Sequence, residues 1–183
     1  MNKSILRPAL ALFLFTVVSA VIVGVGYAVT VEPIAAQRAR IEAEAITALI
    51  PESYRTEPHP INLPDSTLTR HTLSFDQDGN FLGHVFSASS PGYSGAINMM
   101  VALDDEGTIL GVRVISHTET PGLGSNIAQA WFKDQFVGLT GPVVSVRSPS
   151  GPNEIDVITG STISVNAVLR GVNDAVEYFG NLP

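Results

Sequence analysis

The sequence contains no cysteine. That excludes thiolate-ligated iron–sulfur clusters, zinc fingers, disulfides and cysteine nucleophiles. It leaves the compartment open, because a cysteine-free chain tolerates reducing and oxidising surroundings alike. Lysine is almost missing too, with Lys3 and Lys133 the two in the chain. No lysine follows Gly160 in the one glycine-hydroxyl turn that resembles a phosphate loop, which argues against a Walker A site. Positive charge is scarce overall: 10 Lys and Arg stand against 17 Asp and Glu, for a net charge of −7. No nucleic-acid partner is expected of such a chain. There is no G-x-S-x-G elbow, no recognisable Ser/His/Asp order, and no carboxylate pair that can be set on one face. Asp104-Asp105-Glu106 reads as a solvated turn, and His59, His71 and His84 carry no motif.

What the sequence does have begins with an apolar run. Pro8 to Val31 is 24 residues without a charge. As a helix it spans about 36 Å, enough to cross a bilayer core of about 30 Å. A secretory signal core is shorter, about 7–15 residues, and ends in a cleaner small-x-small site than Gly24-Val25-Gly26 or Gly26-Tyr27-Ala28. The length favours an uncleaved anchor. Lys3 and Arg7 precede it and Glu32 follows, which predicts a cytoplasmic N-terminus and a periplasmic remainder. Residues 32–183 hold eight basic and all 17 acidic side chains, a net charge of −9. That part is repelled by an anionic lipid surface.

Beyond the anchor, residues 33–49 read as a helix, with Pro33 in its first turn and Ile34, Ile41, Ala45 and Leu49 as an apolar stripe. Residues 51–66 hold four prolines and little periodicity, and read as a connector. The period then changes to two. Leu68–Phe75 and Phe81–Ala88 flank Asp78-Gly79-Asn80; Ala96–Leu103 and Thr108–Ser116 flank Asp104 to Gly107. These are two hairpin signals and predict an antiparallel sheet. Residues 125–136 read as a helix capped by Ser125 or Asn126, with Ile127, Ala130, Trp131 and Phe132 as apolar surface. Val143–Val146 and Ile155–Ile158 are short strand candidates. A last helix from about Ser164 to Phe179 turns Val165, Val168, Leu169, Val172, Val176 and Phe179 inward. The fold class is α+β on a membrane tether.

Three loops carry the chemistry. In "DVITGSTISVNAV", Thr159, Ser161, Thr162 and Ser164 crowd the start of the last helix around Gly160. A helix N-terminus offers unpaired N–H groups and the positive end of a dipole, so it attracts phosphate. Hydroxyls there also serve as helix caps, and locally both readings stand. In "SHTETPGLG", Ser116 to Gly124, Pro121-Gly122 marks a turn. His117 and Glu119 are too few for a metal site, and His117 lacks an orienting partner for base catalysis. Gly122 and Gly124 let the chain pass close to a flat ligand. In "SASSPGYSG", Tyr93 either stacks on a ligand or covers the core.

Taken in order, the N-terminal span, "GYSGAINMMVALDDEGTILGVRVISHTETPGLG" and "TGSTIS" resemble a known family. The chain looks like the G subunit of Rnf-type electron transport complexes, a periplasmic FMN-binding protein. It is similar also to the C subunit of the sodium-pumping NADH:quinone oxidoreductase. The family motif is commonly [S/T]-G-A-T-x-[S/T], and this chain has Ser161 where alanine is usual. The resemblance implies FMN joined through its phosphate to Thr162 by a magnesium-dependent flavin transferase that uses FAD. It implies that Thr159, Gly160, Ser161 and Ser164 surround the phosphate. It puts Glu119, Thr120, Gly122, Leu123 and Gly124 along the flavin ring, with Tyr93 and Gly95 as further candidates.

The expectation is an electron-relay subunit of the inner membrane, one redox part of a translocase and not a complete enzyme. Its complex would couple electron transfer between ferredoxin and NAD to ion transport, with other subunits as partners. Expected divisions are a cytoplasmic 1–7, an anchor at 8–31 in the bilayer, a helix and connector at 32–66, and an FMN-binding domain at 67–183. The alternatives are the sodium-pump subunit and an anchored, non-redox assembly module whose hydroxyls are caps.

Overall fold

The structure is a computed structural model and describes residues 3–182. It divides into two units, Met1–Ile41 and Glu42–Pro183. The first lies in a single helix, α1 (Lys3–Leu49), whose last turns belong to the second unit. The apolar side chains from Leu10 to Val31 are exposed, and the helix is long and apolar enough to cross a membrane. Two threonine hydroxyls of the apolar run are satisfied within the helix: Thr16 donates to Leu12 O at 2.8 Å and Thr30 to Gly26 O at 2.8 Å. That suits a segment with no water to bond. The helix expected over residues 33–49 is not separate but the continuation of α1 through Pro33. Of the expected stripe, Ile34 and Ile41 are exposed; the buried residues at this end are Ala45, Ile46 and Ile50.

The second unit is built on a five-stranded antiparallel meander, β1 (Arg55–Pro60), β2 (Leu68–Phe75), β3 (Phe81–Pro91), β4 (Ala96–Leu103) and β5 (Ile109–Ser116). Four of these strands match the expected hairpins. The fifth, β1, lies in the stretch read as a connector. It is an edge strand exposed on both faces, so it has no alternation to read, and Pro58 and Pro60 are tolerated there.

Both faces of the sheet are covered. On one, Phe86, Met99, Val101 and Leu103 meet Val165, Val168, Leu169 and Val172 of α3 (Thr162–Gly180). Each such aliphatic burial stabilises the fold by about 1.5–3 kcal/mol. On the other, Val85, Met100 and Ala102 meet Ala45, Ile46 and Ile50. Strand β4 therefore sends alternate residues into both cores, which explains the unbroken apolar run from Met99 to Leu103.

The helix expected at residues 125–136 is broken. A 3₁₀ turn (Gly124–Ala128), one short helix α2 (Ala130–Lys133) and a second 3₁₀ turn (Asp134–Phe136) share it. Neither Ser125 nor Asn126 caps a helix; the Ser125 hydroxyl accepts from the Gly122 N–H at 2.9 Å. Ile127, Phe132 and Phe136 are buried, whereas Trp131 and Ala130 face outward. The short strands β6 (Val144–Val146) and β7 (Glu154–Asp156) pair in parallel and lead into α3.

Between β2 and β3 lies a feature without a sequence motif. His71 Nε2 and His84 Nδ1 are 2.7 Å apart, and the two rings stack with Phe86. Tyr178 and Phe179 of α3 close over them edge-on.

Candidate functional site

The chain leaves β7, turns at Thr159-Gly160, and starts α3. Gly160 has φ +80°, a left-handed turn that a side chain would strain. The Ser161 N–H donates to Ile158 O at 3.0 Å, and the first bond of the helix runs from the Val165 N–H to Ser161 O at 3.0 Å. The N–H groups of Thr162, Ile163 and Ser164 therefore precede the helical ladder.

The hydroxyls do not cap them. Ser161 is the N-cap residue and makes no side-chain cap bond. It is only 4% exposed, and its hydroxyl has no partner. A buried hydroxyl left in that state costs about 1–3 kcal/mol. Ser90 on β3 is also buried without a partner, but it does not border this region. Thr162 and Thr159 are exposed. Ser164 is buried, and its hydroxyl donates to Glu119 Oε2.

Glu119 sits at the junction of three segments. Besides Ser164, its Oε1 accepts from the Ser94 N–H at 2.9 Å in the β3–β4 turn. Two glycines make room for it. A Cβ on Gly92 would lie 2.6 Å from Glu119 Oε1, and one on Gly124 would lie 2.6 Å from Oε2 and 2.5 Å from Ser164 Oγ. Burial pushes the Glu119 carboxyl up. Hydrogen bonds from Ser164 and the Ser94 and Tyr93 amides, with His117 nearby, outweigh that and hold it below the usual range. Glu119 is an anion fixed inside the fold.

Above these groups lies a cleft of about 530 Å³. It is lined by Tyr93, Glu119, Thr120, Leu123, Gly124, Gly160, Ser161, Thr162, Ile163 and Ser164. Three of these are exposed apolar side chains: Tyr93 at 71%, Leu123 at 48% and Ile163 at 52%. The arrangement suits a ligand with an acidic group at the helix start and a flat apolar body between the rims.

Most residues singled out from the sequence meet here, although three of them do not line the cleft. Thr159 precedes the turn. Gly122 closes its own turn, its carbonyl accepting from Asn126 Nδ2 at 3.1 Å. Gly95 accepts from the Gly92 N–H at 2.8 Å and so shapes the Tyr93 turn. Sequence reasoning misses Ile163; an apolar residue at an exposed second position of a helix is its one signal. The roles of Gly92 and Ser94 depend on contact with Glu119, 25 residues from Ser94, and leave no local signal. Glu119 is the cleft's one carboxylate, and both its oxygens are engaged. Among the described residues lining the cleft there is thus no free carboxylate beside Thr162.

The family model of the FMN-binding domain matches residues 92–177, and that of the RnfG N-terminal region matches residues 1–49. The chain is similar to the G subunit of the ion-translocating oxidoreductase complex of Vibrio cholerae serotype O1 (strain M66-2). The two are 32% identical over 194 residues, which is 97% of this chain and 91% of that protein. It is also similar to the G subunit of the proton-translocating ferredoxin:NAD(+) oxidoreductase complex of Clostridium ljungdahlii. There, identity is 39% over 103 residues, 55% of this chain and 56% of that protein. Among solved structures, the C subunit of the Na(+)-translocating NADH-quinone reductase of Parabacteroides distasonis superposes with a TM-score of 0.54. At 19% identity, with 72% of this chain and 80% of that one covered, it shares the fold.

Proposed function

The chain belongs to the family of G subunits of ion-translocating oxidoreductase complexes, and we propose that it works there as a membrane-anchored electron relay with FMN attached covalently to Thr162. The observation that carries this reading is the pair at the start of α3. Ser161 presents a buried hydroxyl without a partner, and Thr162 next to it presents an exposed one. A phosphate joined to Thr162 would be held by the N–H groups of the first turn and would give the Ser161 hydroxyl an acceptor. Tyr93, Leu123 and Ile163 would hold the apolar ring system. Thr159, Gly160, Thr120, Gly122, Gly124 and Gly95 shape the backbone around it. Ser164 contributes its N–H, since its hydroxyl proton is committed to Glu119. FMN supplies one- and two-electron redox chemistry at a potential tuned by ring contacts.

The family resemblance implies that a separate magnesium-dependent flavin transferase makes the attachment, in keeping with the absence of a free carboxylate among the described residues lining the cleft. The bond from Thr162 Oγ1 to the FMN phosphorus forms as the pyrophosphate bond of FAD breaks; AMP leaves and the hydroxyl proton is released. The anchor at 8–31 keeps the N-terminus in the cytoplasm and the domain at 67–183 in the periplasm of the inner membrane, in keeping with Lys3 and Arg7 before the span. The relay passes electrons between redox centres of other subunits in a complex that couples ferredoxin and NAD to ion movement. The span carries no charged residue, so the ion path lies in other subunits.

The test is intact mass and peptide mapping of the chain co-expressed with a flavin transferase and then denatured. A gain of one FMN less one water, mapped to Thr162, is expected. An unmodified mass, with the transferase active on a control substrate, returns the site to a non-redox module.

A further inference from the structure

We propose that the cleft is built to hold a phosphate bearing one negative charge in preference to two, and that Glu119 sets this preference. The inference rests on the reading above, that the FMN phosphate lies at the start of α3.

Free FMN is a phosphate monoester and carries close to two negative charges at neutral pH. Once esterified to Thr162 it is a diester with a single ionisable oxygen. The two forms meet the same surroundings. The positive side is the end of a helix dipole, worth about half a charge, together with the N–H groups of Thr162, Ile163 and Ser164. Among the described residues lining the cleft there is no lysine, arginine or histidine. The one charged side chain is Glu119, tied to the first turn of α3 through Ser164. A second negative charge on the phosphate is therefore opposed by Glu119, and no lining cation offsets it; His117 lies near Glu119 but does not line the cleft. At close range in a partly buried site that opposition weakens binding roughly tenfold or more.

Glu119 is not a carboxylate that drifted into place. Gly92 and Gly124 are the residues without which it would not fit, and the Ser94 amide and Ser164 hydroxyl fix both oxygens. The unpartnered Ser161 hydroxyl independently marks the same spot as one that receives an acceptor. A fixed anion beneath an anion site discriminates by charge. The flavin-side phosphate of FAD carries one negative charge before transfer and the Thr162 diester carries one after it, so the cleft meets its cofactor only in the singly charged form. Unattached FMN is held poorly.

The experiment uses the full chain carrying Thr162→Ala, which cannot be esterified at that position. It is titrated at a pH of about 8, above the second phosphate ionisation near 6. Riboflavin, FMN and the methyl phosphodiester of FMN are the three probes, followed by flavin fluorescence. The diester is expected to bind roughly tenfold tighter than FMN, and FMN no tighter than riboflavin. Adding Glu119→Gln keeps the shape and is expected to raise FMN affinity roughly tenfold while leaving riboflavin unchanged. Equal affinity for FMN and the diester overturns the proposal, as does a Glu119→Gln change that moves all three probes alike, which is the behaviour of a mere clasp. Absence of binding by all three also overturns it. If Glu119→Gln fails to fold, the diester-to-FMN ratio in Thr162→Ala decides alone. Failure of the unmutated chain to gain FMN at Thr162 sinks the underlying reading; loading with flat probe affinities sinks the charge preference only.

Discussion

The two ends of α3 each carry a polar cluster, and the clusters differ in what their polar atoms do. At the C-terminal end, His71 and His84 share a 2.7 Å hydrogen bond. His71 stacks on Phe86 at 4.6 Å, and Phe179 meets His84 edge-on at 5.1 Å. These imidazoles are used up by their neighbours. At the N-terminal end, the Ser161 hydroxyl is buried without a partner, Thr162 is exposed, and Tyr93, Leu123 and Ile163 stand out into solvent. In the sequence the histidines carry no motif, and the hydroxyls read as caps or as a phosphate site. In the folded chain the histidines are packing, and the hydroxyls are the open end.

The strongest break in that contrast is Thr162→Ala. It is expected to abolish covalent flavin while leaving the urea midpoint of the unloaded protein within experimental scatter, because Thr162 is exposed. Intact mass after denaturation reads the first and a urea curve the second. Flavin that persists on the denatured variant moves the attachment to another hydroxyl and removes Thr162 from the open end.

The closed end is tested by pH. Burial first, then the neighbouring His84 and His59, lowers the His71 pKa from 6.5 to about 4. His84 is lowered too, by burial, against the pull of Asp105. The unfolded chain thus binds more protons than the folded one between these values. Stability contributed by His71 is complete above about pH 6.5, falls as pH drops toward 4, and levels off below. The loss is about 3 kcal/mol for this one residue. Urea midpoints measured between pH 6.5 and 5 avoid most carboxylate titration, and His71→Phe is expected to flatten the slope there. A slope unchanged by that substitution means the pair is not the source.

How far the sequence carries depends on how local each signal is. Strands β2 and β4 are legible to the residue, because Asp78-Gly79-Asn80 and Asp104 to Gly107 mark the turns that end them. Strand β1 is invisible, since an edge strand exposed on both faces has no period. The residues around Thr162 and Gly124 are legible because glycine and hydroxyl residues cluster where a turn meets a helix. Glu119 is legible as a candidate but not in its role, which rests on Gly92, Ser94 and Ser164 arriving from elsewhere in the chain. The histidine pair depends on the register that sets Leu73 opposite His84 and His71 opposite Phe86, and no single stretch encodes that.

Gly124→Ala tests the joint on which the open end is built. The added Cβ would press on Ser164 Oγ, Glu119 Oε2 and Glu119 Cβ at 2.5, 2.6 and 2.9 Å. Those atoms are buried and hydrogen-bonded, so they have little room to move. A loss of about 1–3 kcal/mol is expected, with a fall in the fraction of chain that takes up flavin. Denaturant unfolding and intact mass measure the two separately. Full stability with normal loading would mean that the Glu119 clasp has slack.

Ser161→Ala is the smallest change and bears most directly on the contrast between the two ends. It deletes a buried hydroxyl that has no partner, at a position where a methyl group fits the same space. The unloaded protein is expected to gain about 1 kcal/mol, because the desolvated group no longer has to be carried. The loaded protein loses the hydrogen bond that the hydroxyl donates to the phosphate. Loading with flavin should therefore stabilise the variant less than it stabilises the parent. Urea curves of both proteins, each with and without flavin, give the four numbers required. A variant that is less stable than its parent when unloaded would mean that the Ser161 hydroxyl is already satisfied in the empty cleft, and the two ends of α3 would no longer differ in kind.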